Sequence, residues 1–106
     1  MQFHKLIVYV PETHADAVRQ AIGEAGGGKL GNYSSASFST KGTGRFKPEA
    51  GARPAIGTVG KLEEVAEERI ECVCEKETLA VVIAAVRRVH PYEEPAMETW
   101  PIDVPR

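Results

Sequence analysis

The stretch from Lys41 to Lys47 combines glycines, basic side chains and a hydroxyl group. Glycine lets backbone N–H groups approach an anion closely, and lysine and arginine supply positive charge for a phosphate or a carboxylate. The spacing is that of neither a P-loop nor a dinucleotide-binding fingerprint. The alternative interpretation is a solvated, flexible loop whose basic residues offset the acidic segment after it. The anion-binding hypothesis assigns the ligand to Lys41, Gly42, Thr43, Gly44, Arg45 and Lys47.

A second stretch, His90-Pro91-Tyr92-Glu93-Glu94-Pro95, places an imidazole, a phenol and two carboxylates between prolines that restrict the backbone. Imidazole and carboxylate groups bind divalent ions such as Zn²⁺ or Cu²⁺, so His90, Glu93 and Glu94 form a candidate metal site. One chain supplies at most three ligands here, and a closed site needs further groups from elsewhere or from a neighbouring subunit. The structural alternative is a histidine that stabilises a helix end and a tyrosine that covers a subunit boundary.

The remaining nucleophiles form no recognisable catalytic motif. The serines between residues 34 and 39 lack a Gly-x-Ser-x-Gly context, and no base is positioned by the sequence beside them. Cys72 and Cys74 share one face of a predicted strand, and since free cysteine is among the most buried residue types, two inward-facing core residues are favoured over a thiolate site. We therefore expect a protein that is not an enzyme.

Composition and charge narrow the class of protein further. The chain has 106 residues, 42% of them hydrophobic and 26% charged, which predicts one domain over residues 1–106. The net charge of −2 gives the chain no overall electrostatic attraction to duplex DNA or to an anionic membrane surface. The longest apolar stretch, Leu79 to Val86, is too short for a membrane span, and the N-terminus has no secretory pattern. We expect a cytoplasmic protein.

Hydrophobic periodicity predicts the elements that must position these two stretches. A capping box at Thr13 to Asp16 and a helix up to Ala25 follow the first strand, and Pro91 stops a second helix that begins after Thr78. The predicted strands cover residues 3–10, 33–40, part of 62–77 and 96–104, with a long glycine-rich basic loop or extended hairpin arm at 41–61. The order βαββαβ predicts an α+β, ferredoxin-like fold with two helices on one face of an antiparallel sheet.

That fold leaves the second face of the sheet without a covering layer. We expect Ile7, Tyr9 and Val73 on this open face, where they would require a partner surface. Association with copies of the same chain is the simplest way to cover it. The 41–61 segment, with five basic residues and one glutamate, concentrates positive charge in a chain that is acidic overall.

Three blocks of sequence resemble a known family. They are Val8-Tyr9-Val10-Pro11-Glu12, the run from Gly31 to Pro48 with its Gly42-Thr43-Gly44-Arg45-Phe46 segment, and His90 to Pro95. Together they resemble the insert domain of YqfO-type proteins, in the Nif-three-like family often labelled GTP cyclohydrolase I type 2 homologues. That insert is similar in fold to the PII signalling proteins and to CutA, and His90-Pro91-Tyr92-Glu93 is also similar to a stretch of CutA.

The resemblance implies a free-standing homotrimer with clefts between subunits, in which segment 41–61 takes the place of the long ligand-binding loop of PII-like proteins. The two-metal site of the family lies in domains that flank the insert, so no hydrolase activity is expected here. Three functional hypotheses remain. They are a regulatory module that binds a small anionic or nucleotide-like ligand, a divalent-metal binder in the CutA sense, and an assembly domain that contacts a protein partner through 41–61.

Overall fold

The computed structural model describes residues 2–105. Its strands and helices follow one another in the predicted order βαββαβ. They are β1 (Phe3–Pro11), α1 (Ala15–Glu24), β2 (Phe38–Phe46), β3 (Glu63–Glu75), α2 (Leu79–Val89) and β4 (Met97–Ile102). The strands form one antiparallel sheet in the order β2-β3-β1-β4. The predicted α+β, ferredoxin-like fold class is therefore confirmed. Met1 and Arg106, the ends of the predicted 1–106 domain, lie outside the described residues.

The hydrophobic core lies between one face of the sheet and the two helices. Alternate residues of β1 and β3 point into it and meet the apolar stripes of α1 and α2. Its fully or nearly fully buried members include Leu6, Val8, Val10, Val18, Ile22, Ile70, Val82 and Val86. Cys72 and Cys74 are buried in the same cluster with their Sγ atoms 3.8 Å apart. The hydrogen bond with Cys74 and burial raise the pKa of the Cys72 thiol, as expected of a core residue.

Neither helix has a side-chain hydrogen bond that caps its N-terminus. The predicted capping box at residues 13–16 is not formed, because the Thr13 hydroxyl hydrogen-bonds Nδ1 of its neighbour His14 (2.8 Å) and a 3-10 turn precedes α1. Thr78 occupies the N-cap position of α2, but its hydroxyl donates to the Glu75 carbonyl (3.0 Å). Pro91 ends α2 as predicted, since the residue before a proline is forced towards extended backbone.

The second strand corrects the predicted boundaries. The strand expected at 33–40 lies instead at Phe38–Phe46, so the first six residues of the expected 41–61 loop belong to β2. This part of the chain has little apolar side-chain surface, and it is a strand because its backbone pairs with the long strand β3 from Phe38↔Glu71 to Phe46↔Glu63. The result is the extended arm that was the alternative interpretation, in a molecule that measures 47 × 24 × 22 Å.

The burial of the open face of the sheet differs from the prediction at one residue. Ile7 lies on this face but is fully buried, whereas Tyr9 and Val73 are half-buried. The strand register places Ile7 between Glu71 and Glu98, and long charged side chains cover apolar surface with their aliphatic stems. Ile7 therefore needs no second chain to cover it. Within residues 2–105, none of the helices has the length and apolar character needed to cross a bilayer.

Candidate functional site

A cavity of about 750 Å³ lies on the open face beside β2 and β3. Its floor is formed by the two strands, and its walls come from residues 48–56 and from residues 92–96. Small-molecule sites in proteins commonly have volumes of about 300 to 1,000 Å³. The cavity is therefore the candidate binding site of this chain.

The first wall belongs to a loop whose two ends meet. The Gly60 N–H donates to the Pro48 carbonyl over 2.8 Å, which closes residues 48–60 into a compact loop. Gly51, Gly57 and Gly60 have positive φ angles of 97°, 96° and 85°, a conformation that residues with a Cβ adopt only at a cost. Several turns in this loop therefore depend on glycine.

The second wall is positioned by His90, which is buried at the end of α2. Its Nδ1 accepts a hydrogen bond from the Tyr92 backbone N–H (3.1 Å), so Nδ1 carries no proton. The proton is therefore assigned to Nε2, which donates to the Tyr9 carbonyl of β1 (2.7 Å). Burial lowers the pKa of His90 and favours this neutral form. His90 thus links the 90–96 segment to the central strand.

Tyr92 joins the same wall to the floor of the cavity. Its hydroxyl donates a hydrogen bond of 2.8 Å to Oε2 of Glu67, a largely buried residue of β3. The Tyr92 ring also packs edge-to-face on Phe46, with 5.4 Å between ring centroids. Burial, and then the interaction with Glu67, raise the pKa of the Tyr92 phenol well above its usual value, so it remains a hydrogen-bond donor.

The two glycines of β2 have different roles in the floor. Gly44 lies against the Glu67 carboxylate, and a Cβ at position 44 would collide with its Oε1 atom. Gly42 is paired with Glu67 in the strand register, yet a Cβ there would have no heavy atom of the described residues within 4 Å. Gly44 therefore makes room for a buried carboxylate, whereas Gly42 leaves open space.

Five of the six residues that were predicted to bind an anion line this cavity, and the exception is Lys47. They do so from a paired strand and not from a loop, so their arrangement differs from the predicted cradle of free backbone N–H groups. Neighbouring strand residues point to opposite faces, and Lys41, Thr43 and Arg45 therefore alternate with Gly42 and Gly44. Exposed ion pairs hold Arg45 near Glu64 (3.7 Å) and Lys47 near Glu49 (3.4 Å), and pairs of this kind are weak.

The predicted divalent-metal residues are close in sequence but are engaged separately. Both ring nitrogens of His90 have hydrogen-bond partners, and Glu93 Oε1 accepts the Arg53 backbone N–H (2.9 Å). Glu94 is exposed at the edge of the cavity. Within residues 2–105, no group of three or more His, Cys, Asp or Glu side chains is arranged to hold a metal ion. The expected Zn²⁺ or Cu²⁺ site of His90, Glu93 and Glu94 is therefore not assembled in the described part of the chain.

Sequence reasoning missed the residues that form the centre of the floor. Arg69 of β3 lies over the ring of Tyr9, with 5.9 Å from its guanidinium carbon to the ring centroid. Its Nε is buried and has no hydrogen-bond partner among residues 2–105. Alternation along β3 does predict that Glu67, Arg69 and Glu71 share one face. Periodicity does not indicate which other segments cover that face.

The curated proteins that resemble this chain are several times longer. The GTP cyclohydrolase 1 type 2 homolog of Halalkalibacterium halodurans is 50% identical over 99 residues, which cover 93% of this chain and 27% of that protein. The protein of the same name from Mycobacterium tuberculosis is 48% identical over 101 residues, covering 95% of this chain and 27% of that protein. The chain thus spans about a quarter of the length of the curated relatives that it matches. No protein-family model matches it.

Solved structures of two kinds resemble the fold. A Bacillus cereus protein related to NIF3 superposes with a TM-score of 0.84 at 44% identity, over 97% of this chain and 26% of that chain. The periplasmic divalent cation tolerance protein CutA from Archaeoglobus fulgidus superposes with a TM-score of 0.70 at 19% identity, over 98% of this chain and 87% of that one. The likeness to CutA, at this low identity, shows the fold alone.

Proposed function

We propose that this chain, which is homologous to one segment of the GTP cyclohydrolase 1 type 2 homolog proteins and has the CutA fold, is a non-catalytic module that binds a small anionic or nucleotide-like ligand. The observation that carries the proposal is the 750 Å³ cavity between β2, β3 and the two loop walls. Its aromatic residues offer stacking surfaces, and the three basic residues of its lining offer positive charge for an anion, beside five glutamates.

The two parts of the cavity divide the binding between them. Tyr9, Phe46 and Tyr92 supply apolar and aromatic surface for the body of the ligand. Lys41, Thr43 and Arg45 also line the cavity along β2. The register places Lys41 and Arg45 on the strand face opposite Gly42 and Gly44, so in this proposal their long side chains supply positive charge at the rim from around this edge strand. Because its partner Glu64 is an exposed carboxylate, Arg45 can exchange a weak ion pair for an interaction with the ligand.

In this proposal the module is a homotrimer, and the cavity opens into a cleft between subunits. The support is the uncovered face of the sheet and the position of β2 at its edge, paired only with β3 among the described strands. Exposed apolar side chains on this face, such as Phe38 and Trp100, would be covered by a second copy. Ligand binding then acts as a regulatory signal, which a protein partner reads through the segment that follows β2.

Isothermal titration tests this function. The probes are adenosine monophosphate, adenosine triphosphate, pyrophosphate and 2-naphthoate, and we expect saturable heat with at least one of them. Arg45→Ala should weaken that binding, whereas Arg88→Ala, which removes an exposed charge on α2, should not. Gly42→Val should also weaken it by filling the open space above the floor.

Absence of heat with every probe would overturn the ligand-binding proposal and favour the assembly-domain hypothesis. Equal binding by wild type, Arg45→Ala and Gly42→Val would likewise remove the cavity from the proposal. Circular dichroism spectra of all variants verify that the β2 substitutions leave the sheet intact.

A further inference from the structure

Glu67 is a buried carboxylate on the floor of the cavity, and one of its oxygens has no hydrogen-bond partner. Only 8% of the residue is exposed, and its Oε2 accepts the Tyr92 hydroxyl. Among residues 2–105, Oε1 has no such donor, yet it does not belong to the unpartnered side-chain atoms that are sealed from solvent, which are His4 Nδ1 and Arg69 Nε. Oε1 therefore keeps a surface that a hydrogen-bond donor in the cavity can contact.

The two glycines of β2 leave this oxygen uncovered. Gly44 lies against the Glu67 carboxylate, where the Cβ of any other residue would collide with Oε1. Gly42 is the register partner of Glu67, and a Cβ there would have no heavy atom of the described residues within 4 Å. Tyr92, which donates to the same carboxylate, packs on Phe46. A flat group that reaches Oε1 would thus lie between open backbone and aromatic surface.

The charges around Glu67 favour a cation on the floor. None of the ion pairs within residues 2–105 includes Glu67. Arg69, two positions further along the same face of β3, is paired with Glu71 instead, with 3.6 Å from Nε to Oε2. A largely buried carboxylate without a counter-charge attracts a positive group and repels a negative one. The lining as a whole has more glutamates than basic residues, which acts in the same direction.

We infer that Glu67 binds a positively charged nitrogen group of the amidine type, carried on an aromatic ring of the ligand. This inference rests on the proposed function and narrows it, since the acid group of the ligand stays at the rim near Lys41 and Arg45. A planar amidinium donates parallel N–H bonds to a carboxylate, as arginine does, and Glu67 keeps free lone pairs beside the one that accepts the Tyr92 hydroxyl. The rings of Phe46 and Tyr92 add cation–π attraction.

Three probes of similar size separate charge from shape. Benzamidine, benzamide and benzoate share a phenyl ring and a planar substituent, which at pH 7 is positive, neutral and negative respectively. Nuclear magnetic resonance follows the backbone amide of Gly42, identified as the signal that is absent in Gly42→Ala. We expect it to shift saturably with benzamidine, at a concentration at least about tenfold lower than benzamide requires, because charge-assisted hydrogen bonds are stronger than neutral ones. Benzoate should not saturate it.

Substitution of the carboxylate then tests the role of Glu67. Glu67→Gln keeps an oxygen for the Tyr92 hydroxyl but removes the charge. It should weaken benzamidine binding about ten- to hundredfold and change benzamide binding by less than about twofold. Glu75→Gln is the matched control, because Glu75 lies on the same strand outside the cavity lining, and it should bind both probes as wild type does. Thermal unfolding establishes that both variants remain folded.

The ranking of the probes in the wild-type protein tests the inference without any variant. Benzamide or benzoate binding as tightly as benzamidine would show that the floor does not select a cation, and would leave the proposed function standing. Equal benzamidine affinity of wild type and Glu67→Gln would remove Glu67 as the anchor, again without affecting that function. Absence of saturable shifts with all three probes would overturn the floor site, and the titration with nucleotides and pyrophosphate would then decide the proposed function independently.

Discussion

The Tyr92 hydroxyl and the Glu67 carboxylate are joined by a hydrogen bond of 2.8 Å, although 25 positions separate the two residues in the sequence. This bond connects the segment after α2 to the middle of β3. Because Tyr92 also packs on Phe46 of β2, one side chain fixes the relative positions of three parts of the cavity. The cavity is thus built on contacts that single substitutions can test.

Tyr92→Phe should destabilise the fold. The change removes the hydroxyl and leaves a largely buried carboxylate without its hydrogen-bond donor, which costs about 1–3 kcal/mol in the free energy of unfolding. Urea denaturation at pH 7 measures the difference. Tyr33→Phe is the control, because Tyr33 is 78% exposed and should change stability by less than about 0.5 kcal/mol. Equal stability of the wild type and Tyr92→Phe would contradict this role of the Glu67 bond.

Alanine at the two glycines of β2 should have opposite outcomes. Gly44→Ala forces its Cβ into the Glu67 carboxylate and should lower the free energy of unfolding by about 1–3 kcal/mol. Gly42→Ala places its Cβ in open space and should leave stability unchanged or slightly raise it. Denaturant unfolding of the two variants side by side measures the contrast, and equal losses would show that the close approach to Glu67 is unimportant.

Stability should fall in mild acid because of His90. Burial lowers its pKa, so the unfolded chain takes up a proton near pH 6.5 while the folded chain resists it until a lower pH. The neutral, buried His90 therefore stabilises the folded chain fully above about pH 6.5. As the pH drops from there towards the folded pKa, the free energy of unfolding decreases by at most about 1.4 kcal/mol per pH unit.

Urea unfolding at pH 7.5, 6 and 5 measures the effect of His90. The variant His90→Gln should show a smaller loss of stability between these pH values than the wild type. His14→Gln removes a positive charge that is the smallest of the contributions to the lowered His90 pKa, and it should therefore change the pH dependence much less than His90→Gln does. If His90→Gln and the wild type lose stability equally over this range, other groups cause the acid sensitivity.

Light scattering should find a particle of three times the 11.5 kDa mass of one chain at micromolar concentration. Phe38→Glu, on the open face, should dissociate it because a charge would be buried at the subunit contact. Val81→Glu is the matched control on α2, where the side chain is 57% exposed, and it should leave the assembly intact. A wild-type particle of 11.5 kDa would rule out the homotrimer.

Much of the fold could be predicted because its signals are local. The β-branched and aromatic run of β1 and the helical spacing of α2 predicted the correct elements, and Pro91 predicted the correct helix end. The second strand was placed too early because the run from Lys41 to Gly44 has little apolar surface. Its structure depends on backbone pairing with β3, an interaction between distant residues that periodicity within β2 does not report.

The candidate site could be predicted in part for a similar reason. The stretches 41–47 and 90–95 do meet at one cavity. Composition does not determine that the first forms part of its floor as a strand and the second forms one of its walls. His90 was interpreted as either a metal ligand or a structural histidine at a helix end, and the hydrogen bonds of both its nitrogens to the backbone favour the structural role. The positions of Glu67 and Arg69 in the cavity could not be predicted from the acidic strand alone, because they depend on which distant segments pack above that strand.

The hydrogen bond between Gly60 and Pro48 makes the intervening residues a self-contained appendage of the sheet. Since the two ends of the 48–60 loop are adjacent, insertions or deletions within the loop alter the shape of the cavity without displacing β2 or β3. Replacement of this one exposed loop can therefore reshape the cavity during evolution, while the sheet that supports it stays the same.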